Sequence, residues 1–166
     1  ISFRLNPDVD PKTHPSIATG LRSSKFGIPV DTATDAYARA KALPNIDVVG
    51  VDCHIGSQLC ELGPIRDALL RIKETVLTLR REGFGVELID VGGGLGVEYS
   101  GSDHPPSPEA YAETVLEAVG GLDATLVCEP GRSLTAEAGI FLTRVLYRKE
   151  NGEHRFVIVD GGMNDQ

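Results

Sequence analysis

The chain has 166 residues, 41% apolar and 24% charged, which is enough for an ordinary domain with a real core and is not a disordered composition. Its net charge of −8 argues against a nucleic-acid or anionic-membrane surface, and no apolar run is long enough to cross a bilayer. Cys53, Cys60 and Cys128 are scattered, so they form neither a disulfide framework nor a zinc pattern and read as reduced thiols of a cytoplasmic protein.

The first element is "ISFRLNP", a strand already under way at Ile1. After a loop, "DTATDAYARAKAL" predicts a helix, with Thr32 and Asp35 as a candidate capping box. "DVVGVDCHIGS" is a nearly continuous apolar strand. "GPIRDALLRIKETVLTLRREG" is the clearest helix, with Ile65, Leu69, Ile72, Val76 and Leu79 on one stripe and Gly83 as its stop. "VELIDVGGG" is a third strand. Ser107 and Pro108 are an N-cap and N1 pair for "SPEAYAETVLEAV", which ends at Gly120 and Gly121. "ATLVCEPGR" is a fourth strand, and beyond it two β-rich runs flank "KENGEH" as a hairpin. A start at Ile1 and a stop just after "RFVIV" predict an internal piece of a longer protein.

Apolar strands separated by amphipathic helices predict a parallel sheet covered by helices. The strands recur about every 40 residues, so four units make half of an eight-fold α/β barrel, whose complete form needs about 250 residues. A doubly wound open sheet is the alternative.

Each of the last three strands ends in glycine beside a polar group: "HIGSQ", "DVGGGLG" and "EPGRS". In parallel α/β folds these ends share one rim, where ligands bind. Gly92, Gly93 and Gly94 could form a concave nest of N–H groups suited to phosphate, or simply a tight rim turn. They fit the dinucleotide fingerprint poorly, because Val97 occupies its third glycine position and "EYSGSDHPPSP" follows instead of a helix. His54 could stack on a flat ligand while Ser57 donates to a phosphate oxygen, or it could be an ordinary packed histidine. Cys53 beside His54 has no second ligand pair, so no metal is expected. Glu129 could pair with Arg132 three residues on. Alternatively it faces a protonated ring nitrogen, leaving Arg132 free to grip a phosphate or carboxylate.

Five motifs in this order, "HPSIATGLRSSKFGI", "VDCHIGSQ", "DVGGGLGV", "EPGRSLTAEAG" and "VDGGMND", closely resemble those of the diaminopimelate decarboxylases. That resemblance implies a pyridoxal-phosphate enzyme of the alanine-racemase-like fold, a homodimer with a barrel followed by a β-domain. It implies residues 1–138 as the C-terminal half of the cofactor-binding barrel and 139–166 as the truncated start of the β-domain. Carried over, it implies that His54 stacks on the cofactor and that Ser57, Gly92, Gly93 and Gly94 hold its phosphate. Glu129 would face the pyridinium nitrogen, with Pro130 and Gly131 lining the cofactor, and Arg132 would help to hold the substrate carboxylate. The family's Schiff-base lysine and catalytic cysteine are expected outside this chain, which would then be inactive alone; Lys25 is the one candidate replacement, and reads as a structural or dimer-contact residue. The implied reaction converts meso-diaminopimelate to L-lysine. The alternatives are a decarboxylase of another basic amino acid (ornithine, arginine or carboxynorspermidine) and a non-catalytic pyridoxal-phosphate-binding homologue.

Overall fold

The computed structural model describes residues 1–11, 18–162 and 164–165, which leaves Lys12, the "HPSI" start of the first motif and Met163 outside the described residues. The chain forms two compact units, residues 1–136 and 137–166.

In the first unit, β1 (Ser2–Asn6), β2 (Ile28–Pro29), β3 (Gly50–Asp52), β4 (Leu88–Asp90) and β5 (Thr125–Val127) form one sheet in the order β2-β1-β3-β4-β5, with every pairing parallel. The four strands expected from the sequence therefore lie side by side in chain order. β2 is an addition, two residues that pair with the end of β1 through Leu5 and Asn6.

Helices α1 (Ala33–Lys41), α2 (Leu62–Arg81) and α3 (Pro108–Val119) separate these strands. The expected stripe of α2, Ile65, Leu69, Ile72, Val76 and Leu79, is fully buried. Each such side chain contributes about 1.5–3 kcal/mol of transfer free energy. Gly83 ends the helix region in the left-handed conformation at φ 83°, open to glycine at no steric cost. Ser107 caps α3 as expected, its hydroxyl accepting the Ala110 N–H at 3.2 Å. The Thr32 capping box does not form: its hydroxyl donates to the Pro29 carbonyl at 2.8 Å, because a 3-10 turn over Val30–Thr32 leads into α1.

Strand alternation decides what each face carries. Phe3, Val51, Ile89 and Leu126 are partners across the sheet and pack with the helices in the core. The next register row places Arg4, Asp52, Asp90 and Val127 on the opposite face. A row of three charged, partly buried groups on one face of a sheet is costly unless it is used.

The second unit is the expected hairpin, β6 (Val145–Asn151) against antiparallel β7 (His154–Val159). Its two-residue loop starts with Gly152 at φ 61°, the first-position glycine of a type II′ turn. Among the described residues, no helix is long and apolar enough to cross a membrane.

Candidate functional site at the sheet rim

The rim is built by backbone contact between three loops, and the glycines are what permits it. A Cβ on Gly92 would lie 2.3 Å from the Cys53 carbonyl oxygen, one on Gly93 1.9 Å from that of Glu129, and one on Gly94 2.2 Å from that of Gly56. Gly92 and Gly94 also have φ of 70° and 100°. The loops after β3, β4 and β5 thus meet with no room for a side chain between them. Hydrogen bonds run along the same seams: Glu129 N–H donates to the Gly92 carbonyl at 2.8 Å, and Leu59 N–H to that of Gly94 at 2.8 Å.

Two of the three glycine amides are already engaged inside the protein. Gly92 N–H donates to a carboxylate oxygen of Asp90 at 2.9 Å, and Gly93 N–H donates to Nδ1 of His54 at 3.2 Å. A nitrogen that accepts carries no proton, so the neutral imidazole holds its hydrogen on Nε2. Desolvation, then the Arg4 charge, pushes the His54 pKa below its usual value, against attraction from Glu129 and Asp90. His54 is half-buried, and its carbonyl is fixed by the Arg4 guanidinium at 3.1 Å and the Thr19 hydroxyl at 2.9 Å.

The carboxylates of Asp52 and Asp90 belong to register partners on adjacent strands β3 and β4. With Glu129 they have oxygens within 4.8 Å of one another, the only such gathering of His, Cys, Asp or Glu among the described residues. Their mutual repulsion is visible at Asp52. Burial first, then Asp90 and Glu129, raises its pKa from 3.8 to about 6, against the attraction of Arg4. One buried oxygen of Asp52 has no hydrogen-bond partner.

Glu129 stands exposed where β5 ends, followed by a turn in which Gly131 N–H donates to its carbonyl at 2.8 Å. Pro130, at φ −79° and ψ 58°, is the centre of this inverse γ-turn, from which the short helix α4 (Gly131–Thr135) starts. Among the described residues Glu129 and Arg132 are not ion-paired. Arg132 instead donates to the side-chain oxygen of Gln58 at 3.3 Å. Ser57 lies in the segment between His54 and Gln58 and is half-buried.

The structure therefore brings His54, Gly92, Gly93, Gly94, Glu129, Pro130, Gly131 and Arg132 to the ends of three adjacent strands, with Ser57 in the same loop as His54. Lys25 is exposed, with its ammonium 5.0 Å from the Phe26 ring centroid. Cys53 is fully buried, which pushes its thiol up to about 12 and leaves it no thiolate at neutral pH. Arg4, Asp52, Asp90 and Gln58 were not assigned roles from the sequence. For Asp52 the sequence carries a signal: a charge that directly follows the apolar run 48–51.

Residues 1–136 match the family model described as "pyridoxal-dependent decarboxylase, pyridoxal binding domain". A diaminopimelate decarboxylase of Pseudomonas aeruginosa is 51% identical over 99% of this chain, which covers 40% of that relative. One from Aquifex aeolicus is 43% identical, again over 99% of this chain and with 39% of the relative covered. The crystal structure of diaminopimelate decarboxylase from Helicobacter pylori complexed with L-lysine superposes with a TM-score of 0.85 at 45% identity, covering 99% of this chain and 41% of that one. The parallel sheet is accordingly an arc of the (β/α)8 barrel of these enzymes, and the chain spans about 40% of the length of the curated relatives it matches. The chain belongs to the pyridoxal-dependent decarboxylase family, through that family's pyridoxal-binding domain.

Proposed function

We propose that the full-length protein converts meso-diaminopimelate to L-lysine and carbon dioxide with pyridoxal phosphate. The observation that carries this reading is the neutral, fixed imidazole of His54 at one rim with the carboxylate of Glu129, which has no ion-pair partner among the described residues. These are the two groups a flat, protonated pyridine needs: an apolar ring face to stack on and an anion opposite its nitrogen. The orphaned oxygen of Asp52, gathered with Glu129 and Asp90, supports a site built for a cationic occupant. When bound, the cofactor supplies the electron sink for the carbanion that decarboxylation leaves.

Within that reading, His54 orients the ring and Glu129 holds the proton on its nitrogen. The turn Gly92–Gly94 shapes the phosphate end, where Ser57 and the amide of Gly94 donate while those of Gly92 and Gly93 stay engaged with Asp90 and His54, and Pro130 and Gly131 close the wall beside it. Arg132 grips a substrate carboxylate. The diaminopimelate names of relatives at 43% and 51% identity support that substrate over ornithine, arginine or carboxynorspermidine. We also infer a cytoplasmic homodimer in which residues 139–166 begin a β-domain; the antiparallel pairing of the hairpin and the end of the family match at residue 136 support that boundary.

The test is release of carbon dioxide and formation of L-lysine by the purified full-length protein, with and without added pyridoxal phosphate. Cofactor-dependent turnover of meso-diaminopimelate in preference to ornithine and arginine is expected. Preference for either of those amino acids would overturn the substrate, and no turnover of any of them would overturn the activity.

A further inference from the structure

Gln58 occupies a left-handed backbone position at φ 56°, where a residue other than glycine is uncommon. Its side chain uses both ends. Nε2 donates to the Val97 carbonyl at 2.5 Å, and Oε1 accepts the Val97 N–H at 3.3 Å and an Arg132 N–H at 3.3 Å. One carboxamide thereby ties the loop after β3 to the loop after β4 and to α4 beyond β5.

Arg132 is held from a second direction. Its guanidinium carbon lies 5.8 Å from the Tyr99 ring centroid, within cation–π range. Tyr99 is itself anchored, because a carboxylate oxygen of Asp103 accepts its N–H at 3.1 Å and that of Ser100 at 2.9 Å. Both holds are electrically neutral. An amide oxygen and an aromatic face orient a guanidinium without cancelling its charge, whereas a carboxylate would do both.

We propose that Gln58 is a positioning residue that, with Tyr99, keeps Arg132 oriented and uncompensated for the carboxylate of an amino-acid ligand. The inference rests on the reading of Arg132 given under Proposed function and adds the groups that make that role possible. A glutamate at position 58 would keep the acceptor for Val97 N–H and Arg132 but neutralise the guanidinium. An alanine would release it.

L-lysine and cadaverine separate this role from simple support of the fold, since they differ by the carboxylate alone. Dissociation constants of both are measured by calorimetry on the full-length holoenzyme. Gln58→Ala should weaken L-lysine at least tenfold and leave cadaverine within about twofold. Gln58→Glu should weaken L-lysine further still. Equal weakening of both ligands by Gln58→Ala, or lysine binding by Gln58→Glu as tight as in the wild type, would overturn the inference. Arg132→Ala is the control on the underlying reading. If it removes the lysine preference while both Gln58 variants retain it, the role of Gln58 alone fails. If Arg132→Ala itself retains the preference, the assignment of Arg132 fails and the inference with it.

Discussion

The backbone N–H of Gly93 donates to Nδ1 of His54 at 3.2 Å, joining residues 39 positions apart in the chain. This bond determines which nitrogen of the ring is bare and therefore holds the imidazole neutral. Protonation of Nδ1 would set two hydrogens against each other, and burial with the nearby Arg4 charge opposes it further. His54 should titrate below its usual 6.5, and nitrogen-detected NMR of the cofactor-free protein should show the proton on Nε2 at pH 7. The sign follows: with the folded pKa depressed, this group costs stability only as pH falls from 6.5 through its folded value. An imidazole titrating at or above 6.5 would remove this tautomer from the account. His54→Ala should weaken pyridoxal-phosphate binding to the cofactor-free full-length protein about five- to tenfold, the scale of one lost stacking contact of about 1–1.5 kcal/mol. Equilibrium titration followed by fluorescence measures it.

Gly93 is where two loops touch most closely. A methyl group there would meet the Glu129 carbonyl oxygen at 1.9 Å and its carbon at 2.8 Å, both backbone atoms that cannot rotate away. Gly93→Ala should destabilise the protein by about 2–3 kcal/mol and lower cofactor affinity, because the loop after β5 must move. Gly85→Ala is the matched control, with nothing within 4 Å of its added Cβ and no positive φ, and should stay within about 0.5 kcal/mol. Urea unfolding of both variants decides between a glycine required by packing and one merely tolerated.

Asp52 predicts a pH dependence of opposite sense to the usual carboxylate. Its folded pKa is raised from 3.8 to about 6, so the folded state binds the extra proton and stability falls as pH rises from about 4 to about 6. Asp52→Asn removes that dependence. At pH 8 the variant should be more stable by about 1 kcal/mol, a figure reduced for solvent screening of a half-buried group. Denaturant melts of the cofactor-free protein at pH 5 and pH 8 give the comparison, and a variant less stable than wild type at pH 8 would contradict it.

What could be read from the sequence follows the range of the interaction responsible. The helix Leu62–Arg81 and the Ser107 cap depend on neighbours three or four residues away, and both stand as expected. Strand β2 has two residues, one of them Pro29, and exists only because the end of β1 offers partners. The strand expected over "ATLVCEPGR" stops at Val127, and Gly131 and Arg132 instead open helix α4 from a turn set by the backbone of Pro130. The rim itself was legible, because glycine beside a polar group repeats at three strand ends. The partners were not. Gln58 meets Val97 across 39 residues and Arg132 across 74, and nothing in the local pattern of either end marks the other. The expected alternative of a Glu129–Arg132 pair failed for the same reason, since a more distant acceptor takes the guanidinium.

The proposed chemistry rests on Glu129 as the carboxylate opposite the cofactor's ring nitrogen, a role expected to serve the reaction more than the binding. The decisive measurement is the turnover of meso-diaminopimelate by full-length Glu129→Gln protein at saturating pyridoxal phosphate, with bound cofactor quantified in the same sample. The account predicts a fall of at least tenfold, about 1.4 kcal/mol of barrier, with cofactor content retained. Turnover equal to that of the wild type would contradict it.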